Sequence, residues 1–145
     1  MEKVDYVDSF IAVADDCPVM EGTPPPAGRG GPSIVARSFA MIHEHPYRYT
    51  SAEVIFTVYA DRRGIAEADR EEAWAEFYAR GQACLRASDL GRRYGWGIHA
   101  DAEGRLALVG METDAYRRFV AGEERAGSGE PVALTRAMAR ARARA

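Results

Sequence analysis

The stretch from Cys84 to His99 holds most of the side chains in this sequence that do chemistry. It contains a thiol at Cys84, a hydroxyl at Ser88, guanidiniums at Arg86, Arg92 and Arg93, and an imidazole at His99. A cysteine acts as a nucleophile when a neighbouring cation or base lowers its pKa. Cys84 with Arg86 or a histidine base fits that requirement, so Cys84 and, separately, His99 are candidates for a catalytic role, and no catalytic set is assigned. The competing reading of Cys84 is a small buried hydrophobe. Cys17, between Asp16 and Pro18, reads the same way with less support. Gly95 and Gly97 alternate with Tyr94, Trp96 and Ile98, which is the pattern of a strand. On that pattern both glycines share the face of His99, and glycine within a strand often marks the close approach of another group. A ligand lying on that face would meet Arg86, Ser88, Arg93, Gly95, Gly97 and His99. A helix packed over the glycines, with His99 merely hydrogen-bonded, explains the same pattern.

Other constellations are weaker. His43 and His45 are two apart, which places them on different sides of a helix, and no close pair of ligands suggests zinc. No metal and no cofactor is expected. Arg29-Gly30-Gly31-Pro32-Ser33 enters a helix and offers free N–H groups to an anion, with Arg29 or Arg37 adding charge. It lacks the spacing of a P-loop, and a plain loop with a serine cap is the expected reading.

Local signals give the elements that must position these groups. Residues 5–14 read as a strand with Phe10 and Ile11 buried, ended by Asp15-Asp16-Cys17-Pro18. A loop rich in proline and glycine covers 21–32. Ser33 caps a helix that Pro46 stops. Thr50 and Glu53 form a capping-box pattern for a second helix to Arg63, with Gly64 beyond its end. A third helix starts near Glu67, with Trp74, Phe77 and Tyr78 on one face, and ends at Gly81. Residues 93–110 form a hairpin turning at Asp101–Gly104, with Leu106 and Leu108 facing Trp96 and Ile98. Thr113 or Asp114 caps a short helix to about Val120. Residues 83–87 are open to a further strand. The expected fold is α+β, a small antiparallel sheet made of the N-terminal strand and the 93–110 hairpin, packed against several helices. One domain is expected over 1–122. A flexible linker at 122–130 and a basic tail complete the chain, the tail a helix from Pro131 or disordered.

With 145 residues and 47% hydrophobic content, the chain suits one domain with its own core. Nineteen basic and 22 acidic residues give a net charge of −3. The charge is uneven, since residues 131–145 carry Arg136, Arg140, Arg142 and Arg144 and no acid, leaving 15 basic and 22 acidic groups elsewhere. The acidic body argues against nucleic acid as the main partner, although the tail could make weak contact. No apolar run spans a membrane and no targeting signal opens the chain, so a cytoplasmic protein with reduced thiols is expected. Lys3 is the one lysine among the 19 basic residues.

Gly81-Gln82, Cys84-Leu85-Arg86-Ala87-Ser88 and Arg93-Tyr94-Gly95-Trp96-Gly97-Ile98-His99 together resemble the signature of a small bacterial family of unknown function. Asp16-Cys17-Pro18, Thr23-Pro24-Pro25 and Pro46-Tyr47-Arg48-Tyr49-Thr50 are similar to its earlier blocks, and Asp89 stands where the pattern has proline. The resemblance covers about residues 4–121 and implies no activity, substrate or cofactor. Whether the protein is an enzyme is left open. The leading expectation is a small-ligand-binding domain using the polar face of residues 84–99, with a small anionic ligand. The alternative is a protein–protein interaction or homodimerisation module without catalysis.

Overall fold

A computed structural model describes residues 1–140. Among the described residues, four strands form one sheet: β1 (Ser9–Ala12), β2 (Trp96–Ala100), β3 (Leu106–Gly110) and β4 (Ala133–Arg136), in the order β3-β2-β1-β4. The hairpin β2–β3 is antiparallel and β1 lies antiparallel to β2, as the alternation of Trp96 and Ile98 with Leu106 and Leu108 requires. The helices are α1 (Ile34–Glu44), α2 (Ser51–Arg63), α3 (Arg70–Tyr78), α4 (Asp89–Arg92) and α5 (Asp114–Val120).

Helix boundaries follow local chemistry. Ser33 accepts a hydrogen bond from the Ala36 N–H at the start of α1. Thr50 and Glu53 satisfy each other's backbone N–H groups at the start of α2. Gly64 ends α2 in the left-handed conformation, with φ of 65°. The third helix begins later than its pattern suggests, because Glu67–Asp69 forms a 3-10 turn. Residues 85–87 also form a 3-10 turn, not a strand.

The two faces of the sheet bury different sets. Ile11, Ile98, Ala100 and Leu106 pack against Ile42 of α1, Val54 of α2, Leu85 and Leu90. On the other face, Phe10 and Ala12 lie under α5 and pack with Phe119 and Val132. Phe10 is fully buried, its ring stacked on Phe119 at 4.4 Å and edge-on to Tyr116 at 5.5 Å between centroids.

The C-terminal stretch departs from expectation. In place of a flexible linker and a helical or disordered tail, residues 133–136 form β4, which pairs parallel with β1 and makes the sheet mixed. The physical reason is the outer edge of β1, whose backbone groups need partners. Ala133 N–H donates to the Asp8 carbonyl and Ala137 N–H to the Ala12 carbonyl. The Ala/Arg composition offers no apolar helical stripe to compete with that pairing. Residues 123–132 are also engaged: Arg118 meets Glu124 and Val132 is buried. Arg142 and Arg144 lie outside the described residues. Deleting residues 131–145 removes β4 together with buried Val132 and Ala137. The melting temperature is expected to fall by more than about 5 °C, corresponding to a loss of at least 1–2 kcal/mol. An unchanged melting temperature would show that the tail contributes nothing.

Candidate functional site at the edge of β3

Gly97 has no room for a ligand. A Cβ built on it would stand 2.4 Å from Cζ of Phe10 and 3.0 Å from a Tyr116 ring carbon. The space that the sequence leaves open is filled by the neighbouring strand's own phenylalanine, closed over by α5. Gly95 does not share the face of His99 at all. It precedes β2 with φ of +76°, and a Cβ there would come within 2.5 Å of the Glu21 carbonyl oxygen. Its role is to let the loop before residue 23 cross close to the backbone. The same loop covers Trp96, whose indole N–H donates to the Thr23 carbonyl.

The remaining candidates of the 84–99 segment are dispersed. Ser88 caps α4 by accepting from the Leu90 N–H. Arg86 donates through Nε to the Arg136 carbonyl at 2.7 Å and so ties down the tail. Arg93 ends α4 and is exposed. Cys84 lies 3.2 Å from the Tyr6 hydroxyl. Burial, followed by the Cys84 contact, pushes that tyrosine's pKa up to about 12. Leu85 and Leu90 belong to the core on the Ile98 face, whereas Gly97 and His99 point to the α5 face. The sheet therefore separates Cys84 and Arg86 from His99.

Of the other sequence candidates, His43 stacks on Phe39 with ring centroids 4.7 Å apart, and His45 stands edge-on to Tyr49. Arg37 donates to the Pro32 carbonyl beside the Ser33 cap. Cys17 and Cys84 are both free thiols. Among the described residues, no group of three His, Cys, Asp or Glu side chains is placed to hold a metal ion.

His99 does meet a partner that sequence reasoning missed. Its Nδ1 lies 2.8 Å from the hydroxyl of Tyr47, and its ring packs on Phe119. Burial is the main influence on the imidazole and lowers its pKa, opposed by the carboxylates of Asp101, Glu124 and Asp8. Burial, then Asp101 and Glu124, raises the pKa of Tyr47. The two groups share one hydrogen bond whose direction follows the tautomer of the imidazole. Tyr47 holds this position with φ of +59°, the left-handed region that a bulky side chain rarely enters. Its N–H donates to the Leu106 carbonyl at 2.7 Å, and Leu106 N–H donates to the Tyr49 carbonyl. Thr50 bridges to Arg105. Residues 47–50 thus cover the outer edge of β3, and the turn after Pro46 forces the strained backbone. Ala107 is the register partner of His99 on β3.

Beside this pair lies an open depression of about 660 Å³, lined by His45, Tyr47, Arg48, Tyr49, Glu53 and Arg105. Glu53 is engaged in capping α2, and Arg105 meets Glu103 at 3.1 Å. Arg48 lies 5.8 Å from the Tyr49 ring centroid. Within the depression Arg48 and Arg105 stand with one carboxylate, Glu53, while Glu103 pairs with Arg105.

A profile of the family of unknown function designated DUF6157 matches residues 1–127. The chain belongs to that family. The match takes in the whole of the Tyr47–His99 pair and its depression and stops before β4. No curated protein and no solved structure matches the chain.

Protonation of His99 has a defined thermodynamic sign. Its folded-state pKa is below the ordinary value of about 6.5. The unfolded chain therefore binds a proton over a range where the folded chain does not. The stability contributed by neutral His99 is complete above about pH 6.5 and is lost as pH falls toward the depressed folded value. The melting temperature of the wild type minus that of His99→Gln should be smaller at pH 5.5 than at pH 7.5. A difference that is constant or grows on acidification would contradict the burial of a neutral imidazole.

Proposed function

We propose that this protein binds a small anionic ligand, of the carboxylate or phosphate-ester class, in the depression beside Tyr47. The observation that carries the reading is the left-handed backbone of Tyr47, whose hydroxyl meets His99 and whose side chain lines the same depression as Arg48 and Arg105. A bulky residue kept in that region costs of order 1–3 kcal/mol, and such strain clusters at ligand-binding positions. Arg48 and Arg105 supply the charge-assisted donors that carboxylates and phosphates accept. The lining residues come from three places, the turn after α1, the first turn of α2 and the start of β3, so the fold fixes their spacing. The reading keeps His99 from the 84–99 segment and replaces its companions with residues 45–53 and Arg105. It assigns no reaction, because the hydroxyl and the imidazole are neutral and bonded to each other.

The test is calorimetric titration with a panel of small mono- and dicarboxylates and phosphate monoesters. At least one member should bind, and Arg48→Ala or Arg105→Ala should weaken it about tenfold or more, the effect of losing one charged hydrogen bond. Tyr47→Phe should weaken binding without unfolding the chain. Failure of the whole panel to bind, or binding indifferent to both arginines, would overturn the proposal.

A further inference from the structure

Residues 131–140 are held by backbone hydrogen bonds as well as by the burial of Val132 and Ala137. Four hydrogen bonds show this. Ala137 N–H donates to the Ala12 carbonyl, and Met138 N–H donates to the Arg86 carbonyl at 2.8 Å. Arg86 Nε donates back to the Arg136 carbonyl, and Arg92 Nε donates to the Met138 carbonyl. One side chain is read by shape. A Cβ built on Gly91 would lie 2.9 Å from the Cβ of Ala137, so glycine at 91 makes the seat in which that methyl sits. Charge adds to this, since Asp16 accepts from the Arg140 N–H and Arg136 lies 3.4 Å from Asp15. The tail segment 131–145 is positive and the rest of the chain acidic. These features make a groove for an extended strand with a small residue at one position, the mode of strand addition to a sheet edge.

The groove lies within the family match and its occupant beyond it. Ser9–Ala12, Arg86, Gly91 and Arg92 all fall within residues 1–127, whereas β4 follows them. The strand reaches β1 through residues 121–132, in which Gly122 and Gly129 adopt positive φ and a small turn is held by Ala126 N–H on the Glu130 carbonyl. That connection spans roughly 40 Å when extended. We propose that the groove accepts the same strand from a second copy of the chain. Two copies then form a strand-exchanged dimer in which each β4 lies along the partner's β1. Every contact of β4 with its groove is remade across the dimer, and exchange opens the 124–132 segment, breaking the Val132 N–H bond to the Glu124 carbonyl and the Arg125–Pro131 bridge. Closure within one chain is favoured at low concentration by the tether, which holds the strand at high effective concentration.

The experiment uses two full-length variants. Gly91→Val fills the seat and leaves a sound strand without a groove. Ala137→Phe leaves a sound groove without a strand that fits it. Each alone should be monomeric by native mass spectrometry, with the arginines of the tail open to trypsin. Mixed in equal amounts, they should yield a one-to-one heterodimer in which the tail of the Gly91→Val chain is protected. Should Gly91→Val fail to fold by near-ultraviolet circular dichroism, the double variant Arg86→Ala/Arg92→Ala supplies the damaged groove. A mixture of folded variants that stays monomeric overturns the proposal. Dimers formed by either variant alone overturn it too, because the contact would then lie elsewhere.

Discussion

The ring of Phe10 lies where a side chain at position 97 would have to stand, and much of the structure follows from that exchange of volume. Glycine at 97 lets β1 send a phenylalanine across the face of β2, stacked on Phe119 and edge-on to Tyr116. The stack fixes α5 over the sheet. With that face closed, the next inward residue of β2 on the same side, His99, is pressed against Phe119 and half-buried. Its polar partner is Tyr47, from the segment that covers the outer edge of β3. Phe10 also makes β1 an interior element, so its far edge must be covered, and β4 covers it.

Much of the fold was legible because its signals are local. The Thr50–Glu53 capping box, the left-handed Gly64, the Ser33 cap and the alternation of the 96–108 hairpin each depend on residues a few positions apart. β4 was not legible. Ala133–Arg136 is four residues long, alternates no apolar pattern, follows a proline suited to a helical first turn, and pairs with a strand more than 120 residues earlier. The sequence marks composition there, whereas the edge of β1 decides the conformation.

The site was legible by half. His99 stood out by its place in the strand pattern, and the two glycines stood out beside it. Nothing local distinguishes a glycine that admits a ligand from one that admits a phenylalanine, since both require the same missing side chain. Tyr47 lay in a block similar to the family pattern, but its part depends on a backbone angle and on a partner 52 residues away. Arg86, Ser88 and Cys84 carry reactive side chains that the fold spends on the tail, a helix cap and a tyrosine hydroxyl. Reactive residue type alone therefore does not show which of these side chains the fold brings together.

The central claim is that Phe10 and Gly97 share one volume, and a double-mutant cycle measures it most directly. Stability to urea would be determined for the wild type, Gly97→Ala, Phe10→Leu and the double variant. Gly97→Ala is expected to cost more than about 1–3 kcal/mol in the wild type, the range of overpacked cores, and at least 1 kcal/mol less in the Phe10→Leu background. Equal costs in the two backgrounds would contradict the account, because the alanine methyl would then be meeting something other than the phenylalanine ring.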